Sequence, residues 1–263
     1  MTASTDVLLQ AVAELARETG DIALEHFRPG VAVDLKEDGS PVTAGDRRAE
    51  QFARGWIDRR FPGDGIVGEE FGTVRPDAAR RWILDPIDGT KSFIRGVPLW
   101  GTLVAVAEGD RVLAGAAYYP AVDELLAAAA GRGCWWNGAL CRVSSVAALD
   151  SSTVLTTDDR FRTDSARRAA WQELASRAAI ARTWGDCYGY LLVATGRAEV
   201  MVDNRVMPWD SAAMAPIIGE AGGVLTDWEG AATAFGESAI ATNGALARPV
   251  REILAPRAQS ART

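Results

Sequence analysis

The sequence has very few residues that bind soft metals or act as histidine bases. It contains a single histidine, His26, which lies on the extension of the apolar stripe of a predicted helix. With only one histidine, histidine zinc sites and Ser-His-Asp triads are not expected. Its three cysteines, Cys134, Cys141 and Cys187, lack C-x-x-C spacing. A disulfide framework is therefore not expected, and a reducing cytoplasm is the simpler location. If the protein is an enzyme, its chemistry must use carboxylates, hydroxyls, lysine, backbone groups or a metal ion.

Basic residues and long apolar runs are also scarce. The 263 residues include 28 Lys and Arg against 35 Asp and Glu, a net charge of −7. Without a basic stripe, such a surface is not expected to bind nucleic acid. No run of 18 apolar residues occurs, and charges such as Asp6 and Glu14 interrupt the first segment, so neither a membrane span nor a signal peptide is predicted. With 48% hydrophobic residues, the chain can still bury a sizeable core.

Hydrophobic periodicity predicts a chain of mixed class, α+β followed by α/β. Helices are expected at about residues 5–27 and 43–60, followed by strands of an antiparallel sheet that include residues 82–84, 99–107 and 112–119. Beyond about residue 148, predicted strands alternate with helices, among them 185–195 and 208–221. We therefore expect two packed lobes, residues 1–147 with most candidate metal ligands and residues 148–263 with Asp186 and Asp210.

Three acidic segments are candidates for chemistry: Gly68-Glu69-Glu70, the segment 85–90 and Trp209-Asp210. The first two follow short apolar runs, which places carboxylates where strands leave the core. A charge there is costly unless it is paired or binds a cation. Each segment also has a simpler interpretation, as a solvated loop, an ordinary turn and a helix cap, respectively.

Oxygen ligands without histidine or thiolate suit Mg²⁺. Asp85 and Asp88 flank a proline that can aim both side chains and the Ile87 carbonyl into one pocket. Gly89 and Thr90 then offer backbone N–H groups at a helix start, where a phosphate can bind. Two metals about 3.5–4 Å apart could activate a water and stabilise the leaving oxygen of a phosphate monoester.

Two other interpretations of these residues remain open. The segment 85–90 is similar to the D-x-D-x-T loop of haloacid-dehalogenase-like phosphatases, which form an aspartyl-phosphate, although its aspartates are three positions apart rather than two. A non-catalytic protein that binds a metal or a phosphometabolite is the other alternative. A G-x-G-x-x-G pattern at 63–68 has a predicted helix before it and an acidic loop after it, so it does not fit a dinucleotide site.

Three motifs, in order and spacing, resemble the inositol monophosphatase family: G-E-E at 68–70, W-I-L-D-P-I-D-G-T at 82–90 and W-D-S-A-A at 209–213. The resemblance implies a layered αβαβα sandwich of the inositol monophosphatase and fructose-1,6-bisphosphatase type. It also implies two or three Mg²⁺ ions per site and a homodimer. The metal ligands that it implies are Glu69, Asp85, the Ile87 carbonyl, Asp88 and Asp210.

The same resemblance implies roles beside the metal ligands. Thr90, with Glu69, is expected to orient the attacking water, and Asp46 to accept a hydrogen bond from Thr90. Asp46 has an alternative role, because Thr43-x-x-Asp46 is also a capping box for the second predicted helix. Lys36 falls in a predicted hairpin, where a solvated charge needs no role.

The substrate is suggested by further segments that resemble the histidinol-phosphatase branch: D-G-T-K-S-F at 88–93, P-L-W-G-T-L at 98–103 and G-D-C-Y at 185–188. Histidinol carries an ammonium and an imidazole that can become cationic, and Asp186 could pair with that charge, whereas inositol is neutral. Alternatively, Asp186 only caps a helix. The expected substrate is L-histidinol phosphate, with inositol phosphate or a sugar or nucleotide phosphate as the main alternative. Expected substrate contacts are Asp88, Gly89, Thr90, Arg182, Gly185, Asp186 and Asp210.

Overall fold

Eight α-helices lie within residues 4–255, the part of the chain that the computed structural model describes. They are α1 (Thr5–Leu24), α2 (Ala44–Arg60), α3 (Thr90–Phe93), α4 (Ser165–Arg177), α5 (Cys187–Ala194), α6 (Pro208–Ser211), α7 (Met214–Glu220) and α8 (Ala247–Leu254). Side chains start the first two helices: the Ser4 hydroxyl accepts from the Val7 amide, and Thr43 and Asp46 form a capping box. None of these helices combines the length and the apolar composition that crossing a bilayer requires.

Strands form one hairpin and two larger sheets. The hairpin pairs β1 (Asp34–Leu35) with β2 (Pro41–Val42). The eight-stranded sheet contains, in chain order, β3 (Gly65–Gly68), β4 (Gly72–Val74), β5 (Arg80–Asp88), β6 (Gly101–Glu108), β7 (Arg111–Tyr119), β8 (Glu124–Ala129), β9 (Cys134–Trp136) and β10 (Ala139–Cys141). The five-stranded sheet contains β11 (Thr153–Thr156), β12 (Ile180–Arg182), β13 (Val200–Asp203), β14 (Gly223–Thr226) and β15 (Ala239–Asn243).

The spatial order of strands differs from the chain order. The eight-stranded sheet runs β10-β9-β8-β7-β6-β5-β3-β4 and is antiparallel except where β3 pairs with β5. The five-stranded sheet runs β12-β11-β13-β15-β14, with β11 parallel to both its neighbours. Strand β5 is therefore internal, paired with β3 on one side and β6 on the other, and its last residues belong to the second acidic segment.

The sheets and helices stack in five layers. Helices α1 and α2 cover one face of the eight-stranded sheet, α5, α6 and α7 lie between the two sheets, and α4 and α8 cover the outer face of the five-stranded sheet. Alternation along β6 shows why: Val104 and Val106 pack with the α1 and α2 core, whereas Leu103 and Ala105 pack with the middle helices. The predicted αβαβα sandwich is confirmed.

Several predicted elements differ in extent. The strand expected at 82–84 runs over Arg80–Asp88, because both of its edges are paired. The helix expected at 208–221 is two helices, α6 and α7, separated at Ala212 and Ala213. The predicted lobe boundary at 147/148 falls between the last strand of one sheet and the first of the other. The lobes themselves stay a prediction, since the middle helices contact both sheets.

A buried carboxylate joins the middle layer to the five-stranded sheet. Asp203, at the end of β13, accepts a hydrogen bond of 2.8 Å from the Tyr190 hydroxyl on α5. Burial raises the pKa of Asp203 from its ordinary value of 3.8 to about 7, although hydrogen bonds from Thr157 and Tyr190 oppose the rise. The folded protein therefore holds a proton on Asp203 at pH values where the unfolded chain has lost it.

This protonation predicts how stability depends on pH. Because the folded-state pKa is raised, the contribution of Asp203 to stability decreases as pH rises from about 4 towards 7. Asp203→Asn keeps an acceptor for Tyr190 and has no charge to lose. Its melting temperature relative to the wild type should therefore rise by roughly 3 °C or more between pH 5 and pH 8.

Thermal melts at both pH values test this, with Asp77→Asn as the control because Asp77 is exposed. The control should show the same difference from the wild type at both pH values. An Asp203→Asn difference that does not change with pH would contradict the prediction.

Candidate active site

Three carboxylates from two distant parts of the chain meet at the end of β5. Ligand oxygens of Asp85, Asp88 and Asp210 all lie within 4.8 Å of one another. Asp85 and Asp88 come from β5, and Asp210 comes from α6, directly after Pro208 and Trp209. The structure thus brings the second and third acidic segments together, as the motifs predicted.

A bulge in β5 explains how two residues three positions apart can face the same site. Side chains alternate along a regular strand, so Asp85 and Asp88 would otherwise point to opposite faces. In the pairing with β6, Asp85 lies opposite Leu103 and Asp88 opposite Gly101, which leaves one extra residue on β5. The extra residue restores a common direction for the two carboxylates.

Backbone amides hold one oxygen of each carboxylate. The Ile87 amide donates to Asp85 at 3.0 Å, the Cys187 amide to Asp88 at 2.6 Å, and the Met207 amide to Asp210 at 2.8 Å. The last bond is the helix cap that the simpler interpretation of Asp210 predicted. Capping does not exclude metal binding, since the carboxylate has a second oxygen and belongs to the cluster.

Burial and mutual repulsion make the cluster a poor place for bare negative charge. Burial raises the pKa of Asp85 well above its ordinary value, and the nearby Glu69, Asp88 and Asp210 raise it further. Burial also raises the pKa of Asp88, with contributions from Asp186 and Asp210, and raises that of Asp210 to about 6. A divalent cation among these oxygens would remove the repulsion. The donor set, all oxygen, fits a hard cation.

Glu69 lies beside this cluster and is paired with a lysine. Its amide donates to the Leu84 carbonyl at 3.2 Å, next to Asp85. Lys36, from the β1–β2 hairpin, places its Nζ 2.7 Å from a Glu69 oxygen and 2.6 Å from a Glu70 oxygen. Burial disfavours the charged lysine, but these two carboxylates outweigh it and raise the pKa of Lys36. The expectation of a solvated lysine was wrong, because its side chain is only 22% exposed.

Asp46 is the N3 residue of the capping box at the start of α2, whose N-cap is Thr43. Its Oδ2 accepts from the Thr43 amide at 2.8 Å and from the Thr43 hydroxyl at 2.6 Å. The Thr90 hydroxyl donates to the Ile87 carbonyl at 3.0 Å, so the expected bond from Thr90 to Asp46 is not formed. The other Asp46 oxygen is buried without a hydrogen-bond partner among residues 4–255, and burial raises the pKa of Asp46 to about 6. The catalytic role of Asp46 stays a prediction.

Asp186 occupies the N-cap position of α5 but does not cap it. Its side chain makes no capping hydrogen bond, and its φ of 49° lies in the left-handed region. The Asp186 amide donates to the Thr157 hydroxyl at 2.8 Å, and a Cβ built on Gly89 would lie 3.3 Å from the Asp186 carboxylate. The cap-only interpretation of Asp186 is therefore wrong. The carboxylate faces Gly89, beside the metal cluster.

Two glycines allow this close approach. A Cβ at Gly185 would lie 2.3 Å from the Thr157 Cα, so no other residue fits there without moving the backbone. Gly89 has a φ of 88°, and a Cβ on it would lie 2.9 Å from the Leu99 carbonyl oxygen. Burial raises the pKa of Asp186, and the nearby Lys91 opposes this rise.

Arg182 is not brought to the site. It ends β12, is exposed, and donates to the carbonyl of its neighbour Ala181 at 2.7 Å. Its side chain lines a surface hollow with residues of α4, and none of the hydrogen bonds or ion pairs described for residues 4–255 joins it to the acidic cluster. The prediction that Arg182 contacts substrate has no support in this geometry.

The sequence interpretation missed Glu50. This fully buried side chain accepts hydrogen bonds from the amides of Glu70 and Phe71, in the loop that carries Glu69. A signal was present, because Glu50 follows Asp46 by four positions and thus lies on the same face of α2. A glutamate on an inward-facing stripe requires an explanation.

Comparison with known proteins agrees with the geometry. Residues 4–262 match the model of the inositol monophosphatase family. A histidinol-phosphatase of Chlorobaculum parvum is 43% identical over 91% of this chain and 93% of its own, and one of Mycobacterium tuberculosis is 38% identical over 92% and 95%. The solved structure of an inositol monophosphatase from Zymomonas mobilis superposes with a TM-score of 0.86 at 32% identity, over 96% of this chain and 99% of that one.

These similarities favour a hydrolase over a non-catalytic binder, and this fold over that of the haloacid-dehalogenase-like phosphatases. The chain belongs to the inositol monophosphatase family and is a metal-dependent phosphate monoester hydrolase.

Proposed function

We propose that the protein is a Mg²⁺-dependent histidinol-phosphatase, which hydrolyses L-histidinol phosphate to L-histidinol and phosphate. The observation that best supports this substrate is the position of the Asp186 carboxylate, which faces Gly89 beside the acidic cluster and makes no capping bond. The names of the relatives at 43% and 38% identity support the same substrate.

The residues that would hold two or three Mg²⁺ ions are Glu69, Asp85, the Ile87 carbonyl, Asp88 and Asp210. Bound Mg²⁺ would act as a Lewis acid toward the phosphate and lower the pKa of the attacking water. Thr90 and Glu69 orient that water, and the backbone at Gly89 and Thr90 seats the phosphate. Lys36 would have to share Glu69 with the metal, since its ammonium now lies against the Glu69 carboxylate.

The charge of Asp186 explains the choice of ester. Its carboxylate is mostly buried, and Lys91 opposes the burial-induced rise of its pKa. An ammonium or imidazolium on the substrate would therefore gain a partly desolvated, charge-assisted hydrogen bond there. A neutral polyol would leave the buried carboxylate unpaired, which disfavours inositol phosphate.

The substrate prediction is tested at Asp186. Asp186→Ala should lower kcat/KM for L-histidinol phosphate by roughly 100-fold, because a desolvated charge pair contributes about 2–5 kcal/mol. Inositol 1-phosphate makes no such pair, so its kcat/KM should not fall and should rise several-fold, because the unpaired buried carboxylate is removed. Asp186→Asn, which keeps the size and removes the charge, should behave like Asp186→Ala.

Steady-state kinetics with both esters in Mg²⁺ measure this difference, and Asp150→Ala, at an exposed carboxylate, is the control. Equal losses on the two esters would refute the assignment of Asp186. A wild type that prefers inositol phosphate, or a sugar or nucleotide phosphate, would instead favour that activity of the same family.

The metal site is tested by Asp85→Asn and Asp210→Asn. Each change removes one carboxylate charge from the cluster, so Mg²⁺ affinity should fall by about tenfold or more and kcat/KM by roughly 1000-fold. Isothermal titration of the metal-free protein with Mg²⁺ measures the affinity independently of turnover. Glu199→Gln alters a buried carboxylate in the five-stranded half of the chain and should bind Mg²⁺ like the wild type. Unchanged affinity in both aspartate variants would contradict the site.

We also propose that the protein is a cytoplasmic homodimer. The family resemblance supports the dimer, and three unpaired thiols, Cys134, Cys141 and Cys187, are compatible with a reducing compartment. Light scattering after gel filtration should give twice the mass of the chain.

A further inference from the structure

The loop that contains Glu69 packs against a buried ion pair on α2, formed by Glu50 and Arg54. Glu50 is 0% exposed, and its Oε2 accepts from the Glu70 amide at 2.7 Å while its Oε1 accepts from the Phe71 amide at 3.1 Å. Arg54, one turn later on α2, donates through Nε to the same Oε1 at 2.8 Å. The carboxylate thus receives two backbone donors and a guanidinium, which offset the cost of burying it.

Arg54 extends this support to the other side of the loop. Its Nη2 donates to the Gly72 carbonyl at the start of β4, and its guanidinium lies 5.8 Å from the centre of the Phe71 ring. The ion pair therefore contacts the loop at Glu70, Phe71 and Gly72, directly after Glu69.

Gly68 shows how closely the loop and Glu50 fit. A Cβ built on Gly68 would lie 2.1 Å from the Glu50 Oε1, so the backbone passes over the carboxylate at a distance that only glycine allows. The glycine of the G-E-E motif is thus explained by the buried side chain beneath it. Gly68 itself is in β3, so a φ requirement is not the reason.

Three successive amides are consequently fixed. The Glu69 amide donates to the Leu84 carbonyl on β5, and the next two amides donate to Glu50. With both flanking peptide planes held, the Glu69 backbone is fixed next to Leu84 on β5, one residue before Asp85. Side chains that orient metal ligands commonly affect metal affinity by about 10–100-fold.

We infer that Glu50, supported by Arg54, is a positioning residue that sets the Glu69 carboxylate in the metal site. The inference rests on the proposed role of Glu69 as a metal ligand and does not depend on which phosphate ester is the substrate. A merely structural role would give a different result, because removing the pair would then lower stability and leave metal affinity unchanged.

The test is Glu50→Gln, which keeps the shape but loses the charge and one acceptor oxygen. Titration of the metal-free variant with Mg²⁺ should show an affinity reduced by about 10–100-fold. In turnover assays, the Mg²⁺ concentration at half-maximal rate should rise correspondingly, and kcat at saturating Mg²⁺ should return to within a few-fold of the wild type.

The matched control is Glu199→Gln. Glu199 is also a buried carboxylate that accepts a backbone amide, from Thr153 at 2.6 Å, and a side-chain donor, from Ser144 at 2.8 Å. It should lose thermal stability like Glu50→Gln and keep the wild-type affinity for Mg²⁺. Arg54→Lys changes a less buried position, leaves the Glu50 carboxylate intact and should also lower the affinity for Mg²⁺. If Glu50→Gln does not fold, Arg54→Lys alone is the test.

Wild-type Mg²⁺ affinity in Glu50→Gln, or in Arg54→Lys where that variant carries the test, would overturn the inference and leave the proposed function intact. A wild type that binds Mg²⁺ but does not hydrolyse L-histidinol phosphate would overturn the proposed substrate alone. A wild type that binds no divalent cation would overturn the metal site and this inference together.

Discussion

The repulsion among buried carboxylates at the end of β5 is the constraint on which the site depends. Asp85, Asp88 and Asp210 place oxygens within 4.8 Å of one another, where burial weakens the screening by water. Backbone amides stabilise one oxygen of each residue but cannot neutralise three charges. Lys36 forms ion pairs with Glu69 and Glu70 instead. Asp88 and Asp210 raise the pKa of Asp85, Asp210 raises that of Asp88, and a divalent cation bound among their oxygens would relieve the same repulsion.

Long periodic segments were predictable from the sequence because burial on one face enforces the period. Helices α1 and α2 and strands β6 and β7 lie close to where the apolar pattern places them. The end of β5 was not predictable as strand, since Pro86 and two aspartates are untypical of one. It is strand because β6 pairs across the bulge and supplies the partners that local propensity lacks.

The site also contains residues that were predictable from the sequence and residues that were not. The motifs placed Asp85, Asp88 and Asp210 in one cluster, because each follows or caps a recognisable element. Asp186 and Glu50 depend on contacts between distant residues: Asp186 with Thr157, 29 positions away, and Glu50 with Glu70, 20 positions away. For Asp186, local reasoning left capping and substrate contact both open. The structure shows no capping bond, and substrate contact stays a prediction. Arg182 lies at the end of the edge strand β12 and lines a surface hollow, so its contact with substrate stays a prediction that the geometry does not support.

The origin of these residues suggests how one fold can serve different esters. The metal cluster is built on β5, the loop after β3 and α6, whereas Asp186 comes from the loop between β12 and α5. The first residue of α5, Cys187, bonds to Asp88 through its amide and through its thiol, and any residue except proline can form the amide bond. The residue at position 186 can therefore change without removing a metal ligand. Under the proposed function, selectivity for a cationic substrate would come from a carboxylate at this position, whose backbone amide is held by the Thr157 hydroxyl.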